Sequence, residues 1–293
     1  MGDISGSTKI VGIFGDPIHH TLSPRMHNAA FQALKLDYVY LPFRVTPENL
    51  STAVRSLPSL GILGVNITIP HKERILDYLD ELDPDAQVIG AVNTVVVQGQ
   101  TLKGYNTDGK GFIESLRVEN IEPTGKKILL LGAGGAARAV GMQLALEGVS
   151  AIFISNRTSE KAERLARDIQ DRTSLAQVQV LEFNHRALKP YLNQVDIIIQ
   201  TTPVGMSPPG VSPVDITGVS DKQTVCDLIY KPPKTKFLEM AESQGAKIIN
   251  GLGMLVYQGA LAFQLWTQIP PPVEVMKAAL LTSSKNPVSP PVT

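Results

Sequence analysis

The side chains able to grip or ionise a small ligand stand at what read as the carboxyl ends of strands in the first part of the chain. They are Thr21 and Ser23, then Asn66, Thr68 and Lys72, then Asn93, then Asn106 and Asp108. Apart from one cation and one carboxylate, these are neutral hydroxyls and amides. Such groups hydrogen-bond ligand hydroxyls in either sense, and Thr21 and Ser23 can donate to a carboxylate. The set suits a small polyhydroxylated acid. Plainer roles exist beside this one. Ser23, ahead of Pro24, can cap a helix, and Asn93 and Asn106 can hold their own turns. Five histidines, His19, His20, His27, His71 and His185, show no metal-ligand spacing, and none is assigned a metal.

A second chemistry lies at residues 127–161. An apolar run, Ile128 to Leu131, turns through Gly132, Ala133, Gly134, Gly135, Ala136 and Ala137 into a helical pattern, and a second apolar run follows at residues 151–154. Strand, glycine turn, helix and strand in this order read as a dinucleotide-binding βαβ unit, with the pyrophosphate on the helix N-terminus. The second strand ends in Asn156, Arg157 and Thr158, with Lys161 beyond. A carboxylate there would repel a 2′-phosphate, whereas a guanidinium offers it a fork of donors. The cofactor is therefore read as NADP. Cations opening a helix oppose its dipole, which argues against a purely solvated role for Arg157 and Lys161. Hydride exchange with a secondary alcohol also needs a partner for the hydroxyl proton. Lys72 is the strong candidate among the loops, and Asp108 can orient it and favour its charged form. An ordinary ion pair between loops is the other reading of these two residues. Lys72 is placed in the first turn of a helix spanning residues 71–79.

The elements that must carry these groups alternate. Strands are expected at residues 9–14, 38–43 and 64–69, with helices at 25–34, 47–57 and 71–79. This βαβαβα order implies a mostly parallel sheet with right-handed crossovers. Residues 92–97 and 102–105, around Gln98, Gly99 and Gln100, read as a hairpin, and a bridging helix is expected at 109–116. Beyond the glycine turn, strands are expected at 178–181, 196–200, 224–229 and 247–249, and helices at 234–243, 254–268 and 273–281. The loop at residues 201–206 sits at a strand's carboxyl end, where open α/β sheets bind ligands. Residues 1–8 are polar and expected to fray, and the Ser- and Pro-rich stretch 283–293 is expected to be disordered.

The bulk numbers are ordinary for a soluble globular protein. The chain has 293 residues, long enough for two domains, with 43% hydrophobic and 18% charged residues and a net charge of zero. The balance argues against nucleic acid or a membrane surface as partner. No apolar run reaches the roughly 20 residues of a membrane span, and the start lacks a signal-peptide pattern. A cytoplasmic location is the default. Cys226, the single cysteine, lies in an apolar run and reads as a core residue.

The ordered motifs together resemble the shikimate dehydrogenases of the single-function bacterial or cyanobacterial type, over residues 9–281. They are Gly15-Asp16-Pro17-Ile18 through Ser23-Pro24; Met26-His27-Asn28; Asn66-Ile67-Thr68-Ile69-Pro70 with Lys72; Gly90-Ala91-Val92-Asn93-Thr94; and Asn106-Thr107-Asp108-Gly109. The remainder are the glycine turn; Asn156-Arg157-Thr158; Thr202-Pro203-Val204-Gly205-Met206; Asp227-Leu228-Ile229-Tyr230; and Gly251-Leu252-Gly253-Met254-Leu255 with Gln258. The resemblance implies reversible NADPH-dependent reduction of 3-dehydroshikimate to shikimate, in aromatic amino acid biosynthesis. It implies two α/β domains with a cleft between them: a substrate domain of residues 1–108 completed by helices at 254–282, and a Rossmann-type NADP domain of residues 109–253. It implies substrate binding at Thr21, Ser23, Thr68, Lys72, Asn93, Asp108, Tyr230 and Gln258. Cofactor contacts fall at Gly132, Ala133, Gly134, Gly135, Ala136, Asn156, Arg157, Thr158, Lys161, Leu228 and Gly251. The expected assembly is a monomer or homodimer. The family more often has Ser at the position of Thr21, and the added methyl can tighten the carboxylate end of the pocket. The rivals are a quinate/shikimate dehydrogenase, of a kind that often accepts NAD, and a non-catalytic sensor of NADP or shikimate, which need not keep Lys72 and Asp108.

Overall fold

The computed structural model describes residues 4–281, so the stretch at 283–293 lies outside the described residues. The chain divides into two compact units. One comprises the chain up to Asp83, then Val92–Thr107, then the chain from Gly259; the other comprises Pro84–Ala91 and Asp108–Gln258.

In the first unit, β1 (Lys9–Gly15), α1 (Ser23–Ala33), β2 (Tyr38–Arg44), α2 (Leu50–Arg55) and β3 (Ile62–Ile67) alternate as the sequence predicts. A 3-10 turn (Arg74–Tyr78) and a two-residue strand, β4 (Glu81–Leu82), follow. Helix α3 (Pro84–Ile89) belongs to the second unit, and the chain returns with β5 (Thr94–Gln98) and β6 (Thr101–Tyr105). Among the described residues the sheet order is β2-β1-β3-β5-β6-β4. β1 runs parallel to β2 and β3, whereas β5 runs antiparallel to β3 and to β6. That reversal matters for position. The register pairs Asn66 with Thr94 and Thr94 with Tyr105. The start of β5 therefore lies at the same sheet edge as the ends of β1, β3 and β6.

Two expectations are corrected here. No α-helix forms over residues 71–79, because the Lys72 carbonyl accepts the Val92 N–H (2.8 Å) rather than a helical partner, leaving only the 3-10 turn. Lys72 precedes that turn rather than standing in the first turn of a helix. Residues 5–8 are also tied down, since Ser7 Oγ and Thr8 Oγ1 donate to the Asp37 carboxylate (2.8 and 2.7 Å).

In the second unit, α4 (Asp108–Val118) precedes β7 (Lys127–Leu131), α5 (Gly135–Leu146), β8 (Ala151–Ser155), α6 (Ser159–Arg172) and β9 (Val178–Leu181). Then come α7 (His185–Leu192), β10 (Ile197–Gln200), β11 (Thr224–Asp227), α8 (Lys236–Glu242), β12 (Lys247–Asn250) and α9 (Leu252–Thr267), with α10 (Val273–Leu281) last. From Gly259 onward α9 belongs to the first unit, where α10 packs on α1. The sheet order β9-β8-β7-β10-β11-β12 is all parallel and doubly wound, with the reversal between β7 and β10. Both faces are covered. Ile128 and Leu130 point into one apolar cluster, Leu129 and Leu131 into another. This explains why the strands read as continuous apolar runs rather than alternating ones. Cys226 is buried in the first of these clusters, and burial pushes its thiol pKa up.

Candidate active site

The edge of the first sheet carries one set of site residues. Thr21 and Ser23 stand at the β1–α1 junction. Thr21 Oγ1 accepts the Ser23 N–H (3.3 Å), and Ser23 is the first residue of α1 rather than its cap. The capping role considered for Ser23 is therefore filled by neither its hydroxyl nor its position. The β3 end is sewn to β1 by Thr68 N–H to the Phe14 carbonyl (2.9 Å) and Asp16 N–H to the Ile69 carbonyl (3.0 Å). Lys72 is held beside the start of β5 by the bond from Val92. Its neighbour His71 is buried, with Nε2 at 2.6 Å from the Val45 carbonyl oxygen.

Asn93 lies between these groups and is 2% exposed. Its carbonyl accepts from Ile67 N–H (2.8 Å) and Asn66 Nδ2 (3.2 Å), its Oδ1 accepts Thr107 N–H (2.7 Å), and its Nδ2 donates to Thr107 Oγ1 (2.9 Å). The polar side chains of this edge are thus arranged by one another before any ligand arrives. Thr21, Ser23, Thr68, Lys72 and Asn93 are brought to one edge by the strands of this unit.

The remaining substrate-binding expectations, Asp108, Tyr230 and Gln258, belong to the second unit. Asp108 is buried at the start of α4. Gln258 donates to the Leu255 carbonyl (2.9 Å) in α9, close against Gly111 of α4. Tyr230 is half-buried, and burial raises its pKa. Its loop is anchored by Asp227, whose Oδ2 accepts from Thr235 Oγ1 (2.6 Å) and whose Oδ1 accepts from Ile229 N–H (2.9 Å). Burial raises the Asp227 pKa, opposed by those two hydrogen bonds.

The carboxyl edge of the second sheet carries the other set. Gly132 has φ +117°, and a Cβ there would run into Thr201 Oγ1, so only glycine fits this turn. Its N–H is held by the Ser155 carbonyl (2.8 Å). Helix α5 begins at Gly135 with Gly134 as an N-cap lacking any side chain. A Cβ on Gly134 or Gly135 would meet only open space, so a ligand can approach the backbone closely. Ala133 and Ala136 flank the turn and are half-buried.

At the end of β8, Asn156 Nδ2 donates to the Thr158 carbonyl (2.8 Å), Thr158 is the N-cap of α6, and Arg157 and Lys161 are exposed. Leu228 follows β11, and Gly251 follows β12 so closely that a Cβ on Gly251 would collide with the Leu228 carbonyl. In the 201–206 loop, Gln200 is buried; its Nε2 donates to the Thr202 and Val204 carbonyls (3.0 Å each) and its Oε1 accepts Thr202 N–H (2.6 Å). These features fit a dinucleotide: backbone donors at an uncapped helix start, room above two glycines, and exposed cations one strand away.

Two residues in the structure have no motif to betray them. Tyr40 on β2 is buried and donates its phenol to Asn66 Oδ1 (2.7 Å). Arg138 of α5 is buried, donates Nε to the Ile89 carbonyl and pairs through Nη1 with Asp168 (2.5 Å). Together with Arg172, which donates to the Val88 carbonyl (3.3 Å), it fastens α3 to the second unit. The positive φ of Gly90 is the one local trace of that packing.

Three stretches match family models: residues 13–95 the shikimate dehydrogenase substrate binding domain, residues 116–207 shikimate / quinate 5-dehydrogenase, and residues 251–281 the shikimate 5′-dehydrogenase C-terminal domain. A shikimate dehydrogenase (NADP(+)) of Desulforamulus reducens is 50% identical over 280 residues, covering 94% of this chain and 96% of that protein. A crystal structure of a shikimate dehydrogenase in complex with NADP+ superposes with a TM-score of 0.90 at 45% identity, covering 97% of this chain and 98% of the other. A Listeria monocytogenes shikimate 5-dehydrogenase crystallised with shikimate and NAD superposes with a TM-score of 0.90 at 39% identity, covering 96% and 99%. With these matches running through both units, the chain belongs to the shikimate dehydrogenase family.

Proposed function

We propose that this protein is an NADP-dependent shikimate dehydrogenase, which reversibly reduces 3-dehydroshikimate to shikimate in the pathway to chorismate and the aromatic amino acids. The observation that carries the reading is the single sheet edge holding Thr21, Ser23, Thr68, Lys72 and Asn93, in a chain whose other sheet presents the glycine turn. A ring with one carboxylate and several hydroxyls matches that list. Thr21, whose oxygen already accepts from Ser23 N–H, keeps its proton for the carboxylate. Asn93 and Thr68 hold ring hydroxyls, joined by Tyr230 and Gln258.

Lys72 Nζ delivers a proton to the carbonyl oxygen as it becomes an alcohol and takes it back in the reverse direction. Asp108 favours the protonated form of that ammonium. NADPH supplies the hydride. Gly132, Ala133, Gly134, Gly135 and Ala136 hold its pyrophosphate, Asn156, Arg157, Thr158 and Lys161 its adenosine end with the 2′-phosphate, and Leu228 and Gly251 its other end. Residues 1–108 with 254–282 serve the substrate and residues 109–253 the cofactor. No helix among the described residues is long and apolar enough to cross a membrane. We place the enzyme in the cytoplasm, as a monomer or homodimer. Quinate as principal substrate is not favoured, and retention of Lys72 and Asp108 argues against a silent sensor.

The test is the NADPH absorbance band followed with shikimate and with quinate, each with NADP and with NAD. Turnover is expected with shikimate and NADP above the other three pairs. Preference for quinate or for NAD would overturn the assignment, and no turnover with any pair would return the chain to a binding role.

A further inference from the structure

Asp227, at the end of β11, is a carboxylate only 1% exposed, and the proton transfer proposed above does not use it. Burying such a group is costly unless its oxygens are bonded, and packing alone would be better served by an apolar side chain. Both oxygens accept. Oδ1 takes the Ile229 N–H (2.9 Å) and Oδ2 the Thr235 hydroxyl (2.6 Å). Helix α8 fixes the direction of the second bond. Thr235 is the N-cap of that helix and its oxygen accepts the Leu238 N–H (3.4 Å), so its one proton is left for Asp227. The Ile229 N–H can only donate as well. The place therefore calls for two acceptors, which an ionised carboxylate provides and an amide does not.

The two donors stand at the two ends of one loop. Residues 230–234, Tyr230-Lys231-Pro232-Pro233-Lys234, leave Ile229 and return at Thr235, and one carboxylate holds both ends. The far end is anchored by α8, whose Phe237 and Leu238 are buried in the second apolar cluster of this unit. At the near end the Ile229 carbonyl accepts the Gly251 N–H (3.1 Å), and Asn250 Nδ2 donates to the Pro233 carbonyl (2.9 Å). Ile229 is buried, whereas Leu228 and Tyr230 on either side of it are half-buried. These two are held differently. The Leu228 N–H bonds the Gln200 carbonyl (2.9 Å), ahead of the clamped segment. Tyr230 follows Ile229, inside the loop that Asp227 closes.

We propose that Asp227 is a positioning residue for substrate binding, a carboxylate clamp that closes the 230–234 loop against α8 and so fixes where Tyr230 presents its hydroxyl. This rests on the assignment of Tyr230 to shikimate. It adds a residue that acts through Ile229 and Thr235 rather than on the ligand.

The test compares Asp227→Asn, Thr235→Val and Thr235→Ser, read by steady-state kinetics, calorimetric binding of shikimate and hydrogen exchange across residues 228–238. Asp227→Asn keeps the shape but leaves either the Ile229 N–H or the Thr235 proton facing an NH2 group. Thr235→Val removes the hydroxyl and Thr235→Ser keeps it. In Asp227→Asn and Thr235→Val, exchange in the loop should quicken without any ligand. Shikimate KM and Kd should rise about two- to tenfold, the worth of one net hydrogen bond. The KM for NADP and kcat should change less than about twofold. Thr235→Ser should restore shikimate affinity to within about twofold of wild type. In a Tyr230→Phe background Asp227→Asn should cost almost no further shikimate affinity, because the hydroxyl it positions is gone.

Faster exchange with unchanged shikimate affinity would overturn the proposal and leave Asp227 a purely structural group. So would equal losses with and without the Tyr230 hydroxyl, or equal rises in the KM for shikimate and for NADP. If Asp227→Asn does not fold, the Thr235 pair decides, and equal shikimate affinity in Thr235→Val and Thr235→Ser overturns the proposal. A wild-type protein that neither turns over nor binds shikimate would fail the functional assignment instead, a result separable from any variant.

Discussion

The two sheet edges present opposite kinds of polar group. On the first, the groups are side chains, buried and already satisfied: Asn66, Asn93, Thr94, Thr107 and Tyr40 bond one another before a substrate enters. On the second, the groups are backbone donors and exposed cations: a bare turn at Gly132, Gly134 and Gly135 with Arg157 and Lys161 in solvent. A preformed network costs little entropy on binding and fixes which hydroxyl goes where. A backbone cradle accepts any pyrophosphate, and in the proposed function the exposed charges would choose between cofactors. Under the proposed function, specificity for the substrate would be built into the fold and specificity for the cofactor laid on its surface.

The largest test of this contrast is Lys72→Ala. It should lower kcat by roughly 10²–10⁴-fold, the usual worth of general acid–base catalysis. Shikimate binding should weaken far less, since the network around Asn93 stays whole, and NADP affinity should hardly move. Asp108→Asn should also slow the reaction, and the double variant should be little worse than Lys72→Ala alone, as for residues acting as a unit. A raised KM with intact kcat would make Lys72 a binding group.

Next in size is Arg157→Ala. Loss of a charge-assisted contact is worth roughly 1.5–3 kcal/mol, on the order of ten- to a hundredfold in NADP affinity. NAD affinity and melting temperature should not change, because the side chain is exposed and only NADP has the 2′-phosphate. High salt should mimic part of the loss for NADP. Equal losses for both cofactors would remove Arg157 from the phosphate site.

The smallest effect sharpens the comparison from the other side. Asn66→Ala should cost roughly 1–3 kcal/mol of stability by removing the acceptor of the buried Tyr40 phenol. It should raise the shikimate KM while leaving the NADP KM alone. Urea unfolding checks the first part and kinetics the second. A variant as stable as the parent would mean the network is not satisfied from within.

Local pattern was enough for much of this. The glycine turn, the apolar runs Ile128 to Leu131 and Ala151 to Ile154, and the hairpin at Gly99 each depend on neighbours a few residues away, and each forms as expected. The NADP reading rests on one side-chain type at one strand end, Arg157 after β8. The 3-10 turn at residues 74–78 was not legible, because the Val92 N–H that captures the Lys72 carbonyl comes from twenty residues downstream. Helix α7 escaped notice because it is short and holds Pro190.

What the sequence alone determined about this protein is its ordered motifs and the strand ends that present them. Tertiary structure decided how those groups are held. Tyr40 looks like any β-strand aromatic until β2, β3 and α1 close around it, and Arg138 like any helix arginine until α3 places the Ile89 carbonyl against it. Both roles arise from hydrogen bonds between residues far apart in the chain, whose geometry is set by strand order and register rather than by local spacing.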